Sequence, residues 1–529
     1  MMYLHQVLKQ PDHDPFPKAM DEEIKAHTKG QHWEIVHQSK VSATSPILQT
    51  VWPVKRKRRI PKREVYKWKA RLAVDESQQK HGINYWETYA PMVSWPSICF
   101  FLIMALLKQW HICQLDFILA DTQAEVEIDL YMEVLKGFNI NGNQKNYALR
   151  LWKSLYGQKQ EGLVQIQHLT QKLIAYGFNQ NQVDECISYY KQSMFLVFTD
   201  DTILIGPATK ALDDMVDLLA SAFKISDEGE LSDYLGIKIE WWDDGMLRLM
   251  QPQLIDSILA NLHLTDTCKW LQLPYLITKI LYWDSKRAPF NDHFDCKSII
   301  GRLLYLEKST WPELAYSVHQ CVRFCANPKK SHGEAIKKIS WYLLSTREKG
   351  MILWPTEEAF ECWVDASHTG EWNCADAMLD MKTAKSWTGY IITYARYHML
   401  QASKLQTKIV LSSTESEYIT LSQALREVIP LMQLINEAKQ HGINIQGNQA
   451  KVRCTIFEDN AGTTEFAWVP KMCPRMKHLN IKYHHFWEHV KWGTILIWLT
   501  TSEWQIMDII TEPLHLLLFN QHHKWIMGW

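Results

Sequence analysis

The sequence predicts a multidomain chain that joins α+β and α/β organisation, on three observations. Its 529 residues suit three or four domains at roughly 100–200 residues each. With 47% hydrophobic and 22% charged residues it can fill sizeable cores, which excludes disordered and fibrous classes. Beyond Phe360, short apolar runs alternate with long helical patterns, the mark of an α/β domain.

The elements follow in order. Between Lys55 and Arg71 lie ten Lys or Arg against one Glu, with Tyr66 and Trp68 interleaved. Cations neutralise phosphates and aromatic faces stack on bases, so this segment reads as a nucleic-acid contact; a solvated charge run or a nuclear-localisation patch explains it equally well. From Gly162, apolar residues at 163, 166, 169, 173 and 176 predict a helix that Gly177 ends. Met194–Phe198 and Ile203–Ile205 then predict two buried strands joined by Thr199-Asp200-Asp201-Thr202, a hairpin with an acidic tip. Residues 298–347 read as helices, one opened by Pro312 and the next capped by a Ser331/Glu334 box.

Near Phe360 a new unit begins. Cys362-Trp363-Val364 predicts a strand leading into Asp365, and Tyr390–Tyr394 another. Thr414–His441 predicts a long amphipathic helix capped by Gly442, with Thr414 and Glu417 able to form a capping box. Thr455–Phe457 predicts a strand running into Glu458-Asp459-Asn460.

Several classes are excluded. The longest apolar run, Cys99 to Leu107, is far short of the ~20 residues that span a bilayer, and the first residues are too polar for a signal peptide. The 11 cysteines include no CxxC pair, so neither a zinc ribbon nor a disulfide framework is expected. The expectation is a soluble intracellular protein of the cytoplasm or nucleus, with no membrane partner. Trp, with 24 residues, outnumbers Gly, with 21.

Four carboxylates stand at ends of elements in the C-terminal half: Asp365, Glu417, Asp459 and Asp508. Hard divalent cations take oxygen ligands of this kind, although each residue also has an ordinary explanation as a cap or loop starter.

With these residues in view, the chain resembles the reverse transcriptase and ribonuclease H region of copia-type retrotransposon polyproteins. The matching segments are colinear from about Ala19 to Pro513: KWKARL (67–72), GINYWETYAP (82–91), QLDF (114–117), LYGQKQ (155–160), FTDD (198–201), DYLGI (233–237), IGRLLYLEKSTWPELAYSVHQ (300–320), WVDAS (363–367), LSSTESEY (411–418), FEDNAG (457–462), RMKHLNIKYHHF (475–486) and MDIITEP (507–513). The resemblance implies a right-hand polymerase followed by a ribonuclease H-like α/β domain. The expected division is an unplaced segment 1–18, fingers and palm 19–270, a helical thumb or connection 271–356, the ribonuclease H-like domain 357–515 and a tail 516–529.

It also implies Asp116, Asp200 and Asp201 as the polymerase metal ligands. Asp365, Glu417, Asp459 and Asp508 match the hybrid-cleaving carboxylates, with Glu415 the alternative to Glu417. Lys69 and Arg71, with Lys55, Arg56, Lys57 and Gln160, are the implied contacts to triphosphate or template. The implied cofactor is Mg²⁺, two ions per active site, with Mn²⁺ a possible substitute. The implied partners are an RNA template, a DNA primer, RNA–DNA hybrid, deoxynucleoside triphosphates and the remaining polyprotein parts.

The sequence departs from the family pattern at several places. Asp121 adds a carboxylate five residues after Asp116, and Glu161-Gly162-Leu163 stands where the family has Ala-Pro-Arg. Trp311, Trp341 and Cys99 stand where it has Arg, and Ser367 where it has a second Asp. Arg→Trp and Arg→Cys are single C-to-T changes, which fits a copy that has lost supporting cations while its carboxylates persist. Two further readings therefore stand beside the bifunctional enzyme: a non-catalytic nucleic-acid-binding remnant, and a copy with ribonuclease H activity alone. The chain is read as a fragment or a processed product of a longer polyprotein.

Overall fold

The structure of the chain is a computed structural model. It describes all residues except 1, 8, 11–12, 43–44, 59–64, 119–123, 135–142, 200, 243–244, 266–280, 283–287, 371, 373–379, 448 and 469–484. At 2–5, 57–58, 66 and 127 it describes the backbone alone.

An N-terminal helix, Pro15–Lys29, packs its Phe16 ring edge-on against Trp68, 4.8 Å between centroids. Trp68 belongs to the second strand of a hairpin, Pro53–Arg58 with Val65–Ala70. Next to it lies a four-stranded sheet in the order Trp33–His37, Tyr147–Lys153, Glu125–Glu133, Ile47–Leu48. The expected helix runs Glu161–Ala175 and the expected hairpin is Ser193–Phe198 with Asp201–Gly206. The second strand begins at Asp201, earlier than the apolar run suggests. These strands join His111–Phe117 and Ile225–Glu230 in a six-stranded sheet.

The region around 298–347 is helical as expected: Cys296–Ser309, Ala315–Val322 and Lys330–Thr346. The cap of the last helix differs from expectation. It starts at Lys330, so Ser331 lies inside it, and the His332 ring accepts the Lys329 backbone N–H at 3.0 Å. The strand Met351–Leu353 returns to pair with Leu247–Met250, tying this helical region to the segment before it. The expected boundary at 270/271 falls among the undescribed residues. The C-terminal tail forms a helix, Leu516–Met527, after which the Trp529 indole donates to the Gly350 carbonyl at 2.7 Å.

Residues 360–499 form a five-stranded sheet in the order Tyr397–Leu405, Trp387–Tyr394, Phe360–Ser367, Cys454–Glu458, Ile495–Leu499. The first three strands are antiparallel neighbours and the last two run parallel to Phe360–Ser367. The long helix Ser413–Gln440 crosses one face.

Trp95–Lys108 joins the two halves. It is apolar nearly all round (WPSICFFLIMALLK), a pattern that requires partners on every side. Ser94 caps it, accepting from the Ser97 backbone N–H at 3.2 Å. The helix lies between the six-stranded sheet and the C-terminal sheet, with the Phe100 and Tyr394 rings 4.9 Å apart, so one apolar core runs through both halves. Cys99, where the family has Arg, is buried in that core. Phe100→Ala is expected to cost about 3–5 kcal/mol. A shared core predicts a single unfolding transition whose midpoint shifts as a whole; calorimetry showing two transitions with only one displaced would contradict it.

Among the described residues no helix is long and apolar enough to cross a membrane, and the described cysteines are free thiols.

Candidate active sites

The first site is built on the central strands of the six-stranded sheet. Antiparallel register places Asp116 directly opposite Asp201, a separation of about 4.5–5.5 Å between Cα atoms. A two-residue turn connects Phe198 to Asp201. Such tight hairpin turns need positive φ, and Thr199 stands at φ 56°. A non-glycine residue there is strained, and the Gln165 side chain from the adjacent helix holds it, donating to the Thr199 carbonyl at 3.1 Å. Buried Tyr234 lies beside this site; burial first, then the Asp201 charge, pushes its phenol up. Asp200 and Asp121 lie outside the described residues.

The basic segment divides by the pleat of its hairpin. Lys55 pairs with Lys69, and Arg56 with Trp68 on the opposite face. Lys55 is exposed. Arg56 instead lies over the Phe16 and Trp68 rings, 5.4 and 5.3 Å from their centroids, and bonds Gln10. Trp68 is thus packed internally instead of offering a face to a base. Arg71 stacks over the Tyr156 ring at 4.3 Å, linking this hairpin to the 155–160 segment. Gln160 spends both ends of its amide inside the protein: its oxygen accepts from Gln79 at 3.1 Å and its nitrogen donates to the Asn84 carbonyl at 3.2 Å. The Lys57 side chain is outside the described set.

The second site lies at one end of the C-terminal sheet. Parallel register sets Trp363 beside Phe457, so Asp365 comes level with Asp459 just past the neighbouring strand. Asp365 sits inside its strand and not after it, as the sequence had suggested. The carboxylates of Asp365, Glu417 and Asp459 come within 4.8 Å of one another. The choice between Glu415 and Glu417 is decided by the cap. Ser412, not Thr414, caps the long helix, accepting from the Glu415 N–H at 3.2 Å, and the Glu415 carboxylate accepts from the Leu411 N–H at 3.1 Å. Glu415 is therefore used in the cap, and Glu417, two residues further in, faces the cluster.

Asp508 is not one of the three converging carboxylates. It opens the short helix Asp508–Thr511, which lies flush on the sheet because Gly389 stands opposite Asp365; a Cβ there would lie 2.2 Å from the Thr511 methyl. Burial pushes Asp365 up to about 7, against an opposing hydrogen bond from Thr511, with Asp459 and Glu512 adding like charge. Burial also pushes Asp508 up to about 8, helped by Asp365, Glu512 and Asp459.

Sequence reasoning missed Glu458. It is fully buried, its charge is the largest like-charge influence on Glu417, and both carboxyls are pushed well up, chiefly by burial. One oxygen of each, Oε2, has no hydrogen-bond partner. The alternation of the strand Cys454–Glu458 was the available signal: Cys454, Ile456 and Glu458 share the buried face.

Residues 31–276 match the family described as reverse transcriptase (RNA-dependent DNA polymerase). Over 97% of its length the chain is 27% identical to the Retrovirus-related Pol polyprotein from transposon RE2 of Arabidopsis thaliana, covering 34% of that protein. Nearly the whole chain is thus similar to copia-type retrotransposon polyproteins. The RE1 polyprotein of the same plant is 29% identical over 94% of the chain, with 32% of its own length covered. The chain thus spans about a third of the length of these relatives. Among solved structures it is similar to the foamy viral protease-reverse transcriptase dRH in complex with ds DNA, with a TM-score of 0.48, 11% identity, and coverage of 92% of this chain and 69% of that one. The reverse transcriptase match takes in Asp116, Asp200, Asp201 and the basic hairpin, whereas the C-terminal carboxylates lie beyond it, within the longer polyprotein alignments.

Proposed function

We propose that the chain is an RNA-directed DNA polymerase that also cleaves the RNA of RNA–DNA hybrids, each site working with two Mg²⁺ ions. The observation that carries the polymerase reading is Asp116 facing Asp201 within the reverse transcriptase match. The hydrolytic half rests on the convergence of Asp365, Glu417 and Asp459 within 4.8 Å. The donor set fits the ion: all ligands are carboxylate oxygens, and the Glu417 and Glu458 Oε2 atoms are buried without partners.

In the polymerase site Asp116, Asp200 and Asp201 hold the metals; in the other site Asp365, Glu417 and Asp459 do, with Asp508 nearby. Bound Mg²⁺ supplies activation of the attacking oxygen and stabilisation of the leaving one. The chain's own residues set the geometry. Gln165 fixes the backbone of the aspartate turn, and Lys55 and Lys69 offer cations to a phosphate backbone. The partners under this reading are an RNA template, a DNA primer, RNA–DNA hybrid and deoxynucleoside triphosphates. The domains proposed are fingers and palm to about 270, a thumb or connection to about 356, and the ribonuclease H-like domain to 515.

One observation favours the remnant reading. Trp311, where the family has Arg, is fully buried beside Glu313, a buried carboxyl that burial pushes up to about 8. Its hydrogen-bond partner is Tyr342, whose hydroxyl donates at 3.1 Å, and the His523 ring is 3.8 Å away. Hybrid cleavage separates the readings. The purified chain is expected to cut the labelled RNA strand of a hybrid in Mg²⁺ and to stop on chelation; a folded chain that binds divalent cation but leaves the strand whole is the remnant.

A further inference from the structure

Resting on the hydrolytic reading above, we propose that Trp504 is a substrate-contact residue of the C-terminal site, stacking on a sugar or base of the RNA–DNA hybrid beside the carboxylate cluster. Trp504 ends a short turn, Ser502–Trp504, and its side chain is 64% exposed. Single exposed rings are ordinary on a protein surface; what marks this one is where its backbone is held. Here it is fixed at both ends to the cluster. On one side the Ser502 hydroxyl donates to the Asp459 carboxylate at 3.0 Å, two residues before the indole. On the other, Gln505 is fully buried and donates to the Val364 carbonyl at 2.8 Å, the residue before Asp365. The Trp504 N–H closes the turn on the Thr501 carbonyl at 2.9 Å.

The indole is therefore presented to solvent from a turn tethered to the Asp459 carboxylate and to the backbone of the residue before Asp365. An acidic cluster repels a phosphate backbone until cation binds, so docking of a duplex there gains from an uncharged contact. An aromatic face supplies one whatever the base sequence. Hybrids are recognised by shape and sugar contacts more than by base edges, which suits a single ring placed at the rim.

The test is hybrid affinity of the full chain in Ca²⁺, read by fluorescence anisotropy of a labelled hybrid, with Mn²⁺ affinity as the measure of an intact cluster. Trp504→Ala is expected to weaken hybrid binding on the order of ten-fold. Mn²⁺ affinity should be unchanged, and so should the salt slope, because no phosphate contact is lost. Trp504→Phe should restore most of the affinity and Trp504→Leu should not. Wild-type affinity in the Ala variant, or equal affinity in Phe and Leu, overturns the proposal while leaving the hydrolytic reading in place. A wild-type chain that binds Mn²⁺ but no hybrid overturns that reading and this inference with it.

Discussion

Asp365→Asn is expected to abolish hybrid cleavage and, without divalent cation, to make the protein more stable above neutral pH. The two effects share a cause. Asp365 sits beside Glu417 and Asp459 with their carboxylates within 4.8 Å, and its carboxyl is pushed up to about 7 by burial and by like charge. A carboxyl whose pKa is higher in the folded than in the unfolded chain binds its proton on folding. Its contribution is complete below about pH 4 and is lost as pH rises through 7. The Asn variant lacks that loss and should exceed the parent by roughly 1–3 kcal/mol at pH 8–9, after allowance for partial exposure. Mn²⁺ or Mg²⁺ should raise the parent's unfolding midpoint and leave the variant's unchanged. Cleavage should fall on the order of 10³-fold or more. A variant less stable than its parent at pH 8 would contradict the raised Asp365 carboxyl, and one that still gains stability from Mn²⁺ would contradict the role of Asp365 as a cation ligand.

Asp116→Asn and Asp201→Asn are each expected to remove primer extension on the order of 10³-fold or more, and to similar extents. The two residues are 85 positions apart in sequence, and the register of the ladder brings them face to face. Either amide leaves one ligand position without its charge, so neither loss should be rescued by the other carboxylate. Substrate affinity should move far less than turnover, because the basic hairpin is untouched. Neither substitution lies in the C-terminal site, so hybrid cleavage should persist in both. A large loss of cleavage in Asp201→Asn would mean that the shared apolar core couples the two sites, which single-turnover assays on the same preparation would reveal.

Much of this architecture was legible in the residues. Helical spacing from Gly162 and the paired apolar runs around Thr199–Thr202 located one helix and one hairpin of the first site to within a residue or two. Where the reading failed, a longer-range contact had overridden a local pattern. The Thr414/Glu417 box is a sound local motif, but Ser412 with Glu415 makes the same cap two residues earlier and releases Glu417 inward. The aromatic and basic residues of 55–71 looked alike in sequence. Only the hairpin pairing with the Pro15–Lys29 helix turned Arg56 and Trp68 away from solvent and left Lys55 facing it. Glu458 was overlooked because a carboxylate on the buried face of a strand has no local rationale. Its company, Glu417, comes from a helix some forty residues away in sequence. Cys99 was counted as a lost cation, yet its helix fills the core between the two halves, where a cysteine packs readily.

Primer extension on an RNA template by the purified full-length chain in Mg²⁺ tests the central claim most directly, run beside the Asp200→Asn, Asp201→Asn double variant. The account predicts extension by the parent and none by the variant. A folded parent that binds the primer–template and extends nothing would contradict it.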